Sequence, residues 1–382
     1  MNKIEQMLQE LCPNGVEYKK LGEVCEILDS KRKPVAKGRR TFGIYPYYGA
    51  NGIQDYVNEY IFDGTFILLG EDGSVINADK SPVLNWAVGK IWVNNHAHIL
   101  AEISSIANLR YLYFVLQTKD VSSIVRGTPP KLNQENLRNI EIPVPPLPIQ
   151  EEIVRILDNF TELTASLQAE LQARQEQYEY YNTRLLSFND DIPKMKLNDI
   201  VIFMNGKGHE KYIEDNGTYI VVNSKFISSN GNVIKYSNSQ ISPVYKNMIL
   251  MVMSDLPNGK ALARCFVVDA DNKYTLNQRI GAFTIRDKNL INTRFLYYIL
   301  NRNTQLLSYD NGVDQTNLRK GDILNIVIPI PPLSEQQRIV SILDKFETLV
   351  NDLSQGLPAE IAAVQEQYEY YRNKILTFNR LN

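Results

Sequence analysis

Cysteine is scarce in this chain of 382 residues, and its three cysteines follow no metal-ligand spacing. Such usage argues against a disulfide-stapled secreted fold and fits a reducing cytosol, so we expect a cytoplasmic protein. No apolar run is long enough for a membrane span, and the first residues carry charge where a signal peptide would be apolar. The net charge of −2 does not by itself indicate a nucleic-acid ligand.

Recognisable catalytic motifs are missing as well. The sequence has no Asn/Asp-Pro-Pro-Tyr/Phe motif or glycine-rich cofactor loop of an adenine methyltransferase, no ATP-binding lysine motif and no convincing Ser/His/Asp set. The glycine-rich turn at 205–211 lacks the Lys-Ser/Thr ending of a phosphate-binding loop. We therefore expect no cofactor and no catalysis by this chain alone. An enzyme with an unrecognised site is kept as a third alternative.

A stretch of about fifty residues occurs twice. Residues 140–160 match residues 326–346 at 13 of 21 positions, with a constant offset of 186. The heptapeptide Gln-Glu-Gln-Tyr-Glu-Tyr-Tyr then recurs at 175–181 and 365–371, an offset of 190, so the second copy carries four extra residues. Self-similarity of this kind indicates a chain built as two halves of one design.

Each copy of the repeat predicts a long amphipathic helix. Apolar residues follow the paired prolines at alternating spacings of three and four, the pattern of a coiled-coil seam. Gly356 and Pro358 should kink or break the second helix. We expect the helices to pack antiparallel, because the compact segment between them cannot easily span the length of a rod. The predicted seam consists of Ile153, Ile156, Phe160, Leu163, Leu167, Ile339, Ile342, Phe346, Leu349 and Leu353.

The segments that precede the helices share an order of elements. Each has apolar strand-like runs, a glycine-bearing turn and one late helix, at Arg110–Leu116 or Arg294–Leu300. This order predicts two globular mixed α/β domains separated by the two long antiparallel helices. Residues 11–24 parallel residues 187–200, so the halves should be cyclically permuted about a pseudo-twofold axis. The predicted organisation is an N-terminal segment 1–21 that completes the second helical repeat, a domain at 22–139, a helical spacer at 140–190, a domain at 191–325 and a helical spacer at 326–382.

Basic residues are concentrated in the globular segments, whereas the first repeat is acidic. Residues 22–139 carry 13 Lys/Arg against 12 Asp/Glu, and residues 198–325 carry 15 against 11. Residues 140–190 carry only 3 against 9. If DNA is the ligand, the globular segments contact it and the repeats serve another purpose.

The repeat and its place in the chain resemble the specificity subunit of a type I restriction–modification system over essentially the whole length. The likeness rests on the runs 145–158 and 331–344, on the helix tails with Arg184-Leu-Leu and Lys374-Ile-Leu, and on Leu-Asn-Gln-Arg-Ile-Gly at 276–281. The resemblance implies a non-catalytic DNA-binding protein in which each domain is a target-recognition domain that reads one half of a split target. It also implies that the helices set the gap and that two adenine methyltransferase (modification) subunits bind the scaffold. A restriction (translocase) subunit is a further implied partner.

The residues alone lead to a similar picture. Two unlike readers joined by a stiff spacer would recognise a bipartite, interrupted double-stranded DNA target with different half-sites. The alternative is a coiled-coil protein–protein adaptor without DNA specificity, whose binding to DNA would show no sequence preference and little salt dependence. Self-association through the helices stays open.

Candidate DNA contacts are cations and amides in the loops of the globular segments. Lysine neutralises phosphate, arginine can fork onto guanine, and asparagine or glutamine can pair with adenine. A solvated surface loop or a structural turn is the plain alternative at each position. The candidates are Lys31, Arg32, Lys33, Lys37, Arg39 and Arg40 in one cluster, and Arg126, Lys131, Lys207, His209, Lys211, Asn277, Gln278, Arg279, Arg319 and Lys320 elsewhere.

Two further patterns have structural readings. His96 and His98 are predicted to face the same side of a strand, and we expect no metal there because no cysteine or third histidine lies nearby in sequence. The tyrosines of the repeated heptapeptides are predicted to pack within the helix pair or against a partner.

Overall fold

A computed structural model describes residues 3–257, 259–352 and 355–381 and confirms the mixed α/β class. The chain divides into two compact units. Unit 1 comprises Met1–Ala169 and Ala359–Asn382, and unit 2 comprises Glu170–Pro358. The first repeat helix therefore contributes residues to both units.

The helices and strands that the two halves share occur in the same order, and each half also has elements without a counterpart in the other. Up to the first long helix they are α1 (Lys3–Leu11), β1 (Glu17–Lys20), α2 (Leu21–Val24), β2 (Cys25–Ile27), β3 (Phe42–Gly49), β4 (Gly52–Val57), β5 (Phe62–Gly70), β6 (Leu84–Val93), β7 (Ala97–Glu102), α3 (Leu109–Leu116), α4 (Gln134–Arg138), β8 (Glu141–Val144) and α5 (Leu147–Leu185). After it come β9 (Lys194–Lys196), α6 (Leu197–Ile200), β10 (Val201–Asn205), β11 (Tyr219–Val222), α7 (Ser224–Ser228), β12 (Tyr236–Ser237), β13 (Ile249–Val252), β14 (Ser254–Asp255), β15 (Cys265–Val267), β16 (Tyr274–Leu276), β17 (Ile280–Ile285), α8 (Thr293–Leu300), α9 (Thr304–Leu307), β18 (Thr316–Asn317), α10 (Lys320–Leu324), β19 (Val327–Pro329), α11 (Leu333–Asn351) and α12 (Leu357–Ile375). Among the described residues, no helix is both long enough and apolar enough to cross a bilayer.

Unit 1 is built on a six-stranded sheet of order β2-β7-β5-β6-β3-β4. Neighbouring strands are antiparallel except β3 and β6, which are parallel. Successive side chains of β5 point to opposite faces, as a strand requires. Ile67 and Leu69 join the core with Tyr111 and Phe114 of α3, whereas Leu68 joins a second core on the other face. The sequence predicted apolar strand-like runs and a late helix at Arg110–Leu116 for this segment, and β5 and α3 confirm both.

Unit 2 repeats this plan with a four-stranded antiparallel sheet of order β10-β17-β13-β15. Its order corresponds to β2-β7-β5-β6 of unit 1. Phe283 of β17 and Phe295 of α8 are fully buried in its core. A three-stranded sheet of order β12-β11-β16 adds a second core around Phe226. The shared order of elements that the sequence predicted is present, although the connecting loops differ.

The repeat helices pack antiparallel in unit 1. Phe160 of α5 lies against the rings of Tyr368 and Tyr371 of α12. Eight residues further along α5, Gln168 lines a cavity together with Gln365, which precedes both tyrosines. Residues closer to the C-terminus of α5 therefore lie beside residues closer to the N-terminus of α12.

Unit 2 has the same arrangement between the end of α5 and the start of α11. Tyr178 and Tyr181 of α5 lie against the Phe346 ring. Further along the chain, Leu185 packs on the core that contains Ile339, which precedes Phe346 in α11. The predicted antiparallel packing therefore holds in each unit.

The second repeat helix is broken, as Gly356 and Pro358 predicted. Helix α11 ends at Asn351 and α12 begins at Leu357. A Cβ atom on Gly356 would lie 2.4 Å from the Thr348 carbonyl oxygen, so only glycine fits this close approach. The extra residues of the second copy accompany this break and do not lengthen one continuous helix.

The predicted seam residues differ in burial. Ile153 and Ile339 are fully buried in the cores of their units, and Leu167 is also buried. The Leu163 side chain is the most open, at 44% exposure. Leu353 lies outside the described residues. The remaining members are partly buried: Ile156, Phe160, Ile342, Phe346 and Leu349.

Candidate nucleic-acid interface

The basic cluster of unit 1 occupies the loop between β2 and β3, which contains two short 3-10 turns, Asp29–Lys31 and Lys37–Arg39. Its six cations divide into two groups. Arg32 and Arg40 are turned inward, with side chains only 13% and 14% exposed. The exposed group consists of Lys31, Lys33, Lys37 and Arg39.

Both inward arginines are held by protein acceptors. Arg32 Nη1 donates to a Glu71 carboxylate oxygen at 2.5 Å and to the Ala97 carbonyl oxygen at 2.8 Å. Arg40 Nε donates to the Val35 carbonyl oxygen at 3.0 Å, and its guanidinium lies 4.0 Å from the centre of the Tyr47 ring. Their guanidinium groups therefore support the loop from inside, and the exposed cations are the ones oriented to meet a ligand.

The loop that carries Arg126 and Lys131 is brought beside Arg32. The two residues close this loop by exchanging backbone hydrogen bonds of 2.9 and 2.7 Å. Lys131 Nζ lies 3.1 Å from Glu71, the same carboxylate that accepts from Arg32. Arg32 and Lys131 are 99 positions apart in the sequence, yet the loops that carry them share one acidic residue, Glu71.

Beneath these loops lies a buried polar site around His98. Its Nδ1 lies 2.6 Å from Asp29 Oδ2, and its Nε2 lies 2.8 Å from the Leu132 carbonyl oxygen. Asp29 also accepts from the Ile99 N–H at 3.0 Å and from Gln134 Nε2 at 2.8 Å. Burial raises the pKa of Asp29, but the hydrogen bond and the charge of His98, together with the Ile99 N–H and the Arg32 charge, outweigh it and lower this pKa.

The site could not be found from sequence spacing. Asp29, Glu71 and His98 offer ligand atoms within 4.8 Å of one another, a set that could hold a metal ion. Here Arg32 and Lys131 already neutralise the Glu71 carboxylate. No cysteine or second histidine takes part, which is why a search for neighbouring cysteine or histidine misses it.

His96 does not share a strand face with His98, so that prediction was wrong. Strand β7 begins at Ala97, and His96 lies in the preceding turn. The His96 side chain is 47% exposed and hydrogen-bonds Asp72. The turn allows the two rings to diverge, one into solvent and one into the core.

In unit 2 the candidate loops converge at the ends of β10 and β17. Lys207 forms a parallel bridge with Asn277. A Cβ atom on Gly206 would lie 2.0 Å from the Asn277 carbonyl oxygen, so the glycine permits this contact. Asn277 is partly buried, whereas Gln278 and Arg279 are exposed in the turn that follows.

Two more loops join the same region of unit 2. The Met253 N–H donates to the Arg279 carbonyl oxygen at 2.9 Å, and the Leu318 N–H donates to the Met253 carbonyl oxygen at 2.8 Å. Lys320 Nζ lies 5.8 Å from the centre of the Phe203 ring of β10. Segments that are far apart in sequence therefore meet here, and they carry Lys207, Asn277, Gln278, Arg279, Arg319 and Lys320.

His209 is fully buried, which separates it from its exposed neighbour Lys211. Its Nδ1 lies 2.7 Å from the Lys207 carbonyl oxygen and its Nε2 lies 2.6 Å from the Thr275 hydroxyl. His209 therefore links the loop that carries Lys207 to Thr275 of β16 and is not itself exposed to a ligand.

The junction between each globular part and its helix uses residues that the candidate list lacked. Gln150 Nε2 donates to the Pro145 carbonyl oxygen at 2.8 Å, and its Oε1 accepts from the Asn108 N–H at 2.9 Å. Gln336 makes the same bonds to Pro331 and Asn292, each at 2.8 Å. Gln150 and Gln336 are identical positions of the repeat, so the repeat itself was the available signal.

A salt bridge between an arginine and an aspartate reinforces the same junction in each unit. Arg110 of α3 lies 2.8 Å from Asp158 of α5, and Arg294 of α8 lies 2.7 Å from Asp344 of α11. Arg294 also contacts Glu347. Both arginines lie over aromatic rings of their own helix. Each unit thus fixes the angle at which its globular part meets its repeat helix.

Comparison with known proteins gives concordant results. The family model described as type I restriction modification DNA specificity domain matches residues 13–174 and 189–363. A provisionally named type I restriction enzyme specificity subunit of Haemophilus influenzae is 36% identical, over 95% of this chain and 96% of that protein. The EcoR124I/EcoR124II specificity subunit of Escherichia coli is 31% identical, over 82% and 85%.

A solved structure shows a similar fold. The type I restriction–modification S subunit from M. genitalium matches with a TM-score of 0.61, covering 94% of this chain and 96% of that one. The sequence identity is only 13%, so this likeness concerns the fold.

Proposed function

The chain belongs to the type I restriction–modification DNA specificity family, and from that premise we propose that it reads a bipartite, interrupted DNA target with two unlike half-sites. The observation that carries this proposal is the contrast between the two units. They share sheet order, late helix and junction, yet their polar loops differ in sequence and in placement. Equal scaffolds with unlike loops are suited to two ligands of the same kind but different sequence.

The target-recognition domains in this proposal are residues 22–139 and 191–325. The helical spacers are residues 140–190 and 326–382, and residues 1–21 complete the second helical repeat. In unit 1 the exposed cations Lys31, Lys33, Lys37 and Arg39 would meet phosphates and base edges, with Arg126 and Lys131 beside them. In unit 2, Gln278 and Arg279 are the best candidates for base contacts, because they are exposed and combine amide and guanidinium groups.

The identical heptapeptides supply an argument for two copies of one partner. Their middle tyrosines, Tyr180 and Tyr370, are 57% and 60% exposed, so packing inside the protein does not explain why both are tyrosine. Their surroundings are the same in both copies, Gln-Glu-Gln-Tyr-Glu-Tyr-Tyr. A surface that occurs twice fits a partner that binds twice. We assign it to two adenine methyltransferase subunits, and the chain itself has no catalytic step in this proposal.

A restriction subunit would join through the methyltransferase-bound complex.

The coiled-coil adaptor without DNA specificity is the competing function. The two differ in their expected response to DNA: a specificity subunit binds with steep salt dependence and sequence preference, whereas an adaptor shows neither.

The decisive experiment is to co-express the chain with its adenine methyltransferase and map methylated adenines across the host genome. We expect one split motif with two unlike halves. A matched variant, Arg279→Gln in unit 2, should relax the sequence preference in one half only, because it removes a fork suited to guanine. Unmodified DNA, random methylation or a contiguous motif would each contradict the proposal.

A further inference from the structure

A cavity of about 460 Å³ lies between α3, α5 and α12 in unit 1. Its volume is in the range of sites that bind small molecules. Each of the three helices contributes an aromatic ring to its wall, namely Phe114, Phe160 and Tyr368. Two further lining residues, Thr161 and Gln168, are exposed, so a ligand can enter the cavity from solvent.

Of the described residues that line this cavity, only Arg110 is charged. Its Nε lies 2.8 Å from Asp158 of α5, and its guanidinium lies 4.7 Å from the centre of the Phe114 ring. Among the described residues, no acceptor lies within hydrogen-bonding distance of its Nη1 or Nη2. The Arg110 side chain is only 21% exposed. Its terminal NH2 groups are therefore available to an acceptor inside the cavity, and a carboxylate is the acceptor whose geometry matches a guanidinium.

The second copy of the repeat shows which group completes an arginine at this position. Arg294 corresponds to Arg110, and at the repeat offset of 186 Glu347 stands where unit 1 has Thr161. The Glu347 carboxylate contacts the Arg294 guanidinium, and it accepts from the Tyr297 hydroxyl at 2.6 Å. In unit 2 the chain thus supplies from its own helix the carboxylate that completes the arginine.

Unit 1 lacks this carboxylate. The Thr161 hydroxyl donates to the Leu157 carbonyl oxygen of its own helix at 3.0 Å and carries no charge. Arg110 has one acidic partner, Asp158, whereas the arginine of unit 2 has two. The cavity is also larger than the corresponding cavity of unit 2, at about 460 against about 300 Å³. Unit 1 therefore has both the space and the unused donors for a carboxylate from outside the chain.

We propose that the cavity of unit 1 binds a small free carboxylate with an aromatic or planar apolar body. The carboxylate pairs with Arg110 as Glu347 pairs with Arg294, and the body packs against Phe114 and Phe160. A partner protein that bound both units alike would bring its own acidic side chain against Glu347 in unit 2, where like charges repel. That asymmetry favours a free ligand. The proposal does not depend on DNA recognition.

The test is isothermal titration calorimetry of the full chain, with benzoate as the probe. We expect saturable binding of one benzoate per chain. Benzamide has nearly the same shape without the charge, so it should bind at least about tenfold more weakly, because the charge-assisted pair with arginine is lost. Acetate keeps the charge without the ring and should also bind more weakly than benzoate. No binding of benzoate, or equal binding of benzamide, would overturn the proposal.

Substitutions that exchange residues between the two copies locate the site. Thr161→Glu brings the carboxylate of unit 2 into unit 1, so it should weaken benzoate binding at least about tenfold. Glu347→Thr removes that carboxylate from unit 2, so a second benzoate should then bind per chain. Ser166→Glu is the matched control, because it adds the same charge at an exposed position of α5 that does not line the cavity. If Thr161→Glu binds benzoate as well as Ser166→Glu does, the ligand lies elsewhere and the proposal fails.

Folding of each variant is checked by circular dichroism. Should Glu347→Thr not fold, the comparison of Thr161→Glu with Ser166→Glu decides the question by itself. Copurification with the methyltransferase subunit identifies the source of the carboxylate. We expect Thr161→Glu to retain as much methyltransferase as Ser166→Glu does. A selective loss in Thr161→Glu would show that the partner supplies the carboxylate and would overturn the assignment to a free ligand.

Discussion

The ring of Phe160 stacks on the ring of Tyr371 in unit 1, with centroids 5.7 Å apart and planes inclined by 25°. Phe346 and Tyr181 repeat the contact in unit 2, at 5.4 Å and 24°. The phenylalanines occupy one position of the repeat and the tyrosines another. Each phenylalanine therefore packs on the tyrosine of the other copy. The repeat is used reciprocally, which explains why both copies keep both residues.

Removing either phenylalanine ring should weaken the unit that contains it. We expect Phe160→Ala and Phe346→Ala each to lower the free energy of unfolding by about 1–3 kcal/mol, from lost apolar burial and lost ring stacking. Chemical denaturation followed by circular dichroism measures this. Leu163→Ala is the control, because that side chain is 44% exposed and should cost less than about 1 kcal/mol. A similar loss for Leu163 and Phe160 would count against a seam centred on the aromatic pair.

The junction glutamines make a second prediction. Gln150→Leu should cost about 1–3 kcal/mol, because the partly buried Asn108 N–H and the Pro145 carbonyl oxygen lose their partner. Gln336→Leu should cost a similar amount through the equivalent bonds. Gln172→Leu, on the exposed surface of α5, is the matched control. Thermal unfolding of the three variants decides between them: if the buried and exposed substitutions have equal effects, the glutamines do not hold the junction.

The sequence predicted the parts of the fold that depend on local periodicity and on repetition. The regular spacing of apolar residues predicted helix α5, and Gly356 with Pro358 predicted the break before α12. Both predictions succeed because helical periodicity and helix-breaking residues act over a few residues. The internal repeat predicted a shared architecture because the two copies constrain each other. The late helices predicted at Arg110–Leu116 and Arg294–Leu300 likewise correspond to α3 and α8.

The details of the site were harder to predict because they arise from pairs far apart in sequence. Nothing near Arg32 indicates that Glu71 will hold it, and nothing near His98 indicates Asp29. Cation density identified the basic loop, but it did not separate inward Arg40 from outward Arg39. Burial of His209 depends on Thr275, which lies on a strand 66 residues away. Such choices are made by tertiary packing.

Glu152 predicts a pH dependence of stability. Hydrogen bonding from Arg155 is the main cause that lowers its pKa to about 2, with burial opposing and Lys3 adding to the effect. A lowered carboxyl pKa contributes stability above the unfolded value of about 4.3, and this contribution is lost as the pH falls through the folded value. We expect Glu152→Gln to be less stable than the unsubstituted chain near neutral pH, with the difference shrinking between about pH 4 and about pH 2. Urea unfolding across that range tests the sign. A difference that grows on acidification would contradict the ion pairs with Arg155 and Lys3.

Arg39 and Arg40 are adjacent in sequence, yet they should respond in opposite ways to alanine substitution. Arg40 is anchored to Val35, Asp55 and the Tyr47 ring, so Arg40→Ala should lower stability by about 1–2 kcal/mol. Arg39 is exposed, so Arg39→Ala should change stability by less than about 0.5 kcal/mol. On DNA the order reverses: Arg39→Ala should reduce the salt slope of binding by about 1, as one lost phosphate contact predicts, whereas Arg40→Ala should leave the slope unchanged. Denaturation and salt-titrated DNA binding of the same two proteins test both halves, and a slope change confined to Arg40→Ala would reverse the assignment of the inward and outward cations.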